Sequence, residues 1–135
     1  MGPVTPQRIV VTGASGYLGR AIVAAAEARG HRVTQIVRSG TQGIVQDLAA
    51  KGAAEALVEK IKDADAVIHA ASEMSSDWAL HERSSLPAMH TACTLASALD
   101  AHLVHVSSIV IYDFAALASG GSVSENSPAE IEPLQ

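Results

Sequence analysis

Eight consecutive residues near the N-terminus, Thr12-Gly13-Ala14-Ser15-Gly16-Tyr17-Leu18-Gly19, place three glycines at intervals of three directly behind a short apolar run. Such a segment can do chemistry with almost no side chains. A glycine at 13 permits a sharp reversal, Gly16 lets a phosphate group approach the backbone with no Cβ in the way, and Gly19 lets a following helix pack closely on the strand. The N-terminus of that helix, carried by Ser15, Gly16, Tyr17 and Leu18, offers free N–H groups and a positive dipole end to an anion. A purely structural turn is the competing reading, and the position between a strand and a helix favours the anion site. A nucleoside-triphosphate loop is excluded: it needs Gly-Lys-Ser/Thr, and the chain has no lysine before Lys51.

Other reactive groups are sparse. The histidines at 31, 69, 81, 90, 102 and 105 are scattered without metal-ligand spacing, so no metal is expected, and His69 reads as a core histidine. The single cysteine, Cys93, cannot form an intramolecular disulfide and reads as buried helix filler in a reducing compartment. The formal charge is −5 and only Arg83 is cationic after Lys62, so there is no basic stripe for nucleic acid to follow. No apolar run approaches the roughly 20 residues that cross a bilayer, and no basic region followed by an apolar stretch opens the chain. The expectation is a cytoplasmic protein without membrane or nucleic-acid partners.

The elements that must hold the glycine turn follow from length and patterning. At 135 residues and 13.9 kDa there is room for one domain. Hydrophobic residues are 48% but aromatics only 3%, so the core must come from Val, Ile, Leu and Ala, which suits parallel strands covered by small-residue helices. Arg8–Thr12 predicts the first strand; Leu18, Ile22, Ala25 and Ala26 predict a helix that ends at Gly30. His31–Val37 predicts a second strand, and Gly43–Gln46 a third after an unusually brief link. Ala54, Leu57, Val58 and Ile61 mark a helix over Lys51–Lys62. Ala66–Ala70 and Leu103–Ser107 read as the fourth and fifth strands, and Met89, Ala92, Cys93 and Ala96 place a helix between them with Pro87 near its first turn. This alternation predicts an α/β fold with a doubly wound parallel sheet, after which residues 118–128 form a Gly/Ser/Pro-rich loop.

The TGASGYLG spacing resembles the short-chain dehydrogenase/reductase superfamily, in particular its extended branch, the NAD-dependent epimerase/dehydratase family. Four further segments agree: Gln46-Asp47-Leu48, Val67 through Ser72 (VIHAAS), Val106 through Asp113 (VSSIVIYD) and Ser124 through Pro128 (SENSP). The resemblance implies a Rossmann fold with a cofactor bound by Gly13, Ser15, Gly16, Tyr17 and Leu18, with Asp47 and Leu48 at the adenine and the Ala70-Ala71 backbone along the cofactor. Asp47 as a helix N-cap is the alternative for that residue. NAD-preferring members end the second strand in an acid that binds the ribose 2′-hydroxyl, whereas here the end reads Val37-Arg38-Ser39. Arg38 suits a 2′-phosphate, so NADP is preferred over NAD; a solvated strand-end charge is the other reading.

The same resemblance implies a catalytic serine, a tyrosine acid/base and a lysine four residues beyond it. Ser108 matches the serine. No Tyr-x-x-x-Lys follows, since every lysine lies at or before Lys62, and Tyr17 and Tyr112 have Ala21 and Ala116 four residues on. The helix asparagine frequent in the superfamily is also lacking, for the only asparagine is Asn126. The chain therefore reads as an NAD(P)-binding domain over residues 1–135 that stops short of the catalytic pair, taken from an oxidoreductase or epimerase acting on a small-molecule alcohol or carbonyl. A nucleotide sugar is the commonest such substrate, and a homodimer is implied by analogy. A noncatalytic NADP(H)-binding sensor or scaffold is the alternative from a different functional class.

Overall fold

In the computed structural model of the chain, β1 is Arg8–Thr12, and its last four residues are buried because both faces of the sheet are covered. Residues 2–108, 111–113 and 120–129 are described. The chain divides into two units, residues 1–105 and 106–135.

The first unit holds the sheet. β2 (Arg32–Val37), β3 (Ile44–Val45), β4 (Ala66–His69) and β5 (His102–His105) join β1 in the order β3-β2-β1-β4-β5, with every pair parallel. Thr12 lies opposite both Ile36 and His69, so β1 and β4 end level, β2 runs one residue further, and all three deliver their following loops to the same edge. Side chains alternate across β1. Val10 enters a core with Ile36, Leu57, Val67 and Leu95, and Ile9 and Val11 enter a second core with Val23, Ala26 and Val37. α1 (Tyr17–Ala28) covers the second face, while α2 (Ala53–Ile61) and α4 (Leu86–Ala98) cover the first. This is the doubly wound α/β arrangement that the alternation of elements predicts.

Three expectations change in detail. The buried stripe of α1 is Gly19, Val23 and Ala26 with Ile22 half-buried, and Leu18 and Ala25 are exposed. An alanine-rich helix does not distinguish its faces by sequence; the close seating of Gly19 sets its rotation. Cys93 is exposed rather than buried, because α4 is apolar nearly all round and its inward stripe is Ala88, Ala92, Leu95 and Ala96. The helix before β5 also begins earlier than Pro87 suggests. α3 (Trp78–Leu80) runs through a π-helical turn (His81–Ser85) into α4 without a break. Pro87 has no N–H to donate and its ring crowds the carbonyl one turn back, and the wider turn just before it relieves both demands.

Polar clips fix the ends of the strands. At the start of β1, Asp65 accepts hydrogen bonds from the Arg8 backbone N–H (2.7 Å) and from its Nε (3.0 Å) and Nη2 (2.6 Å), and Arg8 also pairs with Asp63. The Arg8 hydrogen bonds lower the Asp65 pKa to about 2. At the far end, Thr12 Oγ1 lies 2.7 Å from His69 Nδ1 and accepts from the Ala70 N–H at 3.2 Å. His69 is 2% exposed and stacks on His105 with ring centroids 5.6 Å apart. The expectation of a core histidine holds.

In the second unit, Tyr112 bridges Ala129 in antiparallel fashion and Asp113 N–H donates to the Pro128 carbonyl at 2.8 Å. Positions 109 and 110 of the VSSIVIYD segment, and 118 and 119 of the late loop, lie outside the described residues. No helix among the described residues is long and apolar enough to cross a membrane.

Burial, reinforced by the nearby His105, pushes the His69 pKa down from 6.5 to about 4. The unfolded chain therefore binds a proton between these values that the folded chain refuses. Stability is complete above pH 6.5 and falls as the pH drops toward 4, by about 2–3 kcal/mol from this residue. Urea denaturation from pH 7 to 4 is expected to show that slope in the wild type and a flatter one in His69→Gln; equal slopes would refute the assignment.

Candidate functional site

The ends of β1, β2 and β4 open a groove whose floor is the glycine turn. Gly13 has φ +64°, and a Cβ there would fall 2.8 Å from the Ala71 nitrogen and 2.9 Å from the Ala70 carbonyl carbon and oxygen. The turn thus seats directly on the backbone that leaves β4, at the spot where the Thr12 hydroxyl holds the Ala70 amide. Gly19 is as constrained, since a Cβ would run into the Gly13 carbonyl oxygen. Gly16 N–H donates to the Gly13 carbonyl (3.0 Å), and Gly16 is the extended N-cap of α1 with no side-chain cap. The first N–H groups of α1 are consequently left for an outside acceptor.

The walls come from three loops. Val37 and Arg38 stand at the end of β2; Gln46, Asp47 and Leu48 follow β3. Leu48 is 6% exposed, and its carbonyl accepts from the Thr91 hydroxyl of α4 at 2.7 Å. The Asp47 carboxylate accepts from the Ala49 N–H (2.9 Å), capping the turn that precedes α2, while the N-cap of α2 itself is Gly52. Asp47 is therefore not the helix N-cap the alternative reading made it, and it lines the groove.

The third wall was not legible beforehand. Glu73, on the loop after β4, and Ser84 and Ser85, in the π-helical turn, line the groove opposite Arg38. Arg38 Nη1 donates to Glu73 Oε1 at 2.9 Å, the Ser84 hydroxyl donates to the same oxygen at 2.7 Å, and the Glu73 N–H donates to Ser85 Oγ at 3.1 Å. The Ser84 hydrogen bond is the main cause that lowers the Glu73 pKa, with Arg38 adding to it. His81 completes the set: Nε2 lies 2.7 Å from the Ser75 carbonyl, to which it donates, and Nδ1 lies 3.0 Å from Ser85 Oγ. The one sequence signal for this wall is Glu73 itself, the only acid between Asp65 and Asp77.

Of the residues singled out in sequence, Gly13, Ser15, Gly16, Arg38, Asp47, Leu48, Ala70 and Ala71 line this one groove. Tyr17 and Leu18 are not among its lining residues; they are 91% and 46% exposed on the first turn of α1. Ser108 belongs to the second unit, where its carbonyl accepts from the Ile111 N–H at 3.2 Å. Among the described residues no group of three or more His, Cys, Asp or Glu side chains could hold a metal ion.

A Rossmann-type sheet with a glycine cradle pressed against the fourth strand defines a dinucleotide-binding class of protein. The chain belongs to the NAD dependent epimerase/dehydratase family, which it matches over residues 9–113. It is 28% identical over 134 residues to a dTDP-4-dehydrorhamnose reductase of Mycolicibacterium smegmatis, covering 96% of this chain and 36% of that relative. A short-chain dehydrogenase/reductase superfamily protein from Agrobacterium tumefaciens, solved with bound NAD, is 30% identical with a TM-score of 0.64, covering 78% of this chain and 34% of that one. The Bordetella bronchiseptica enzyme WbmG, solved with NAD, shares the fold with a TM-score of 0.77 at 20% identity, covering 93% of this chain and 44% of that one. The chain thus spans about a third of the length of the curated relatives it matches.

Gly19→Ala is expected to destabilise the chain by about 1–3 kcal/mol, the usual range for forcing an extra carbon into a closed contact. The urea midpoint reads this directly, and an unchanged midpoint would contradict the close seating of α1 on the turn.

Proposed function

We propose that the chain is the cofactor-binding part of an NAD(P)-dependent oxidoreductase or epimerase of the extended short-chain dehydrogenase type, acting on an alcohol or carbonyl, with nucleotide sugars as the favoured substrate class. The observation that carries this reading is the seating of Gly13 on the Ala70-Ala71 backbone, which gathers Gly13, Ser15, Gly16, Asp47, Leu48, Ala70 and Ala71 of the family's motifs, with Arg38, around one groove. The residues present fit a dinucleotide: a cradle that any Cβ at 13 would fill, the first turn of α1 with no side-chain cap on its N–H groups for the diphosphate, and Asp47 and Leu48 on the adenine side. Bound there, the dinucleotide supplies a nicotinamide that exchanges hydride with the substrate. Ser108 would hold the reacting oxygen by its hydroxyl, and the tyrosine and lysine that would move the proton are not among these 135 residues.

NADP is the preferred cofactor in this reading. Arg38 stands at the end of β2, where the ribose 2′ substituent falls in this fold, and its planar fork of donors suits a phosphate better than a hydroxyl.

Two outcomes are expected of the purified 135-residue chain. Fluorescence titration should show NADPH binding that Arg38→Ala weakens by roughly tenfold, with NADH little affected; equal NADPH affinity in both proteins would refute the preference. The chain alone should not oxidise NADPH with any member of a carbonyl panel, and measurable turnover would refute the need for the tyrosine and lysine pair.

A further inference from the structure

Arg38 is already engaged. In the strand order β2-β1-β4, the residue after β2 and the loop after β4 stand on opposite sides of β1, so the 2.9 Å bond from Arg38 to Glu73 passes over the end of β1 and across the groove above Gly13. The two partners are held unequally. Arg38 is 70% exposed at its side chain, uses one nitrogen of its fork and has no other partner among the hydrogen bonds and ion pairs described. Glu73 is 19% exposed and is fixed independently of Arg38, by Ser84 at its carboxylate and by Ser85 at its backbone N–H. The π-helical turn makes this double grip feasible: with more residues per turn, successive side chains are rotated less, and two neighbouring serines address one residue.

We infer that Glu73 is a specificity-determining residue of the groove: it holds Arg38 in an ion pair that a ribose 2′-phosphate must break and that a 2′-hydroxyl leaves intact. The inference rests on the reading of the groove as a dinucleotide site with Arg38 at the 2′ position. When Arg38 turns to a phosphate, Glu73 does not follow, because Ser84 and Ser85 keep it in place. Its negative charge then faces the incoming dianion, a repulsive element that narrows the advantage Arg38 gives to the phosphate. The acid that dinucleotide sites commonly take from the end of the second strand is supplied here by the loop after the fourth, and it acts through Arg38 as well as by its own charge. The main cause of the lowered Glu73 pKa, the Ser84 hydrogen bond, keeps the carboxylate ionised at neutral pH whether or not Arg38 stays.

The test is titration of NADPH and NADH into wild type, Glu73→Gln, Arg38→Ala and the double variant, all as the 135-residue chain. Glutamine keeps an oxygen for Ser84 and removes the charge, so the fold is retained; Ser84→Ala, which loosens Glu73 and leaves its charge, is the second probe. Glu73→Gln should tighten NADPH by about three- to tenfold and leave NADH within twofold, and the gain should shrink in the Arg38→Ala background. Ser84→Ala should shift NADPH in the same direction by less. Equal shifts for both cofactors, no shift for NADPH, or a gain undiminished without Arg38 would overturn the inference while the dinucleotide reading stands. Failure of the wild type to bind either cofactor would overturn both.

Discussion

The Thr12 hydroxyl stands between the His69 ring and the Ala70 amide, and one residue further along each chain the backbone of Gly13 presses on Ala70 and Ala71. This double contact between the ends of β1 and β4 is the constraint on which the groove depends. If β1 and β4 were out of step by a residue, the glycine turn would have nothing to lie on. Burying a threonine and a histidine at such a point is costly unless each satisfies the other. Here both do, and among the described residues no buried side-chain nitrogen or oxygen is left without a partner. The polar pair therefore specifies register where an apolar pair would only fill space.

Charge is distributed over the groove in a way that follows from the same edge. The floor is backbone, neutral and donor-rich. The rim carries one cation, Arg38, in contact with the anchored Glu73, and Asp47 besides, so the site has no positive field of its own, in keeping with a chain whose formal charge is −5 and whose cations lie mostly before residue 63. Attraction for an anionic ligand has to come from oriented N–H groups, which act at short range and favour fit over charge alone. The Arg8 cluster with Asp63 and Asp65 sits at the opposite ends of the strands and serves the sheet, not the groove.

How much of this was legible in the sequence depended on whether a feature is local. The strands announce themselves because residues buried on both faces leave unbroken β-branched runs such as RIVVT and AVIHA, and their bounds match within a residue or two. The glycine turn was legible because its spacing is dictated by steric limits that no side chain can relax. What composition hides is rotation: α1 and α4 are rich in alanine, so the stripe that faces the sheet is chosen by tertiary contact, and Leu18, Ala25 and Cys93 were misplaced for that reason. The Glu73 wall was invisible for another reason. Arg38 and Glu73 are 35 residues apart, and Ser84 reaches Glu73 only through a π-helical turn that no periodicity argument anticipates.

The pairing of β1 with β4 also has a temporal side. Thr12 and His69 are separated by 57 positions, so the central strand has only its neighbour β2 to pair with until β4 has been synthesised. Until then the glycine turn lacks its bed, the Thr12 hydroxyl lacks its imidazole, and one edge of β1 is an open ladder of amides. Closing so long a loop carries an entropic cost that local helices do not share. The ligand groove and the β1–β4 pair thus come into being in a single step, and a nascent chain has no such groove before β4 has docked.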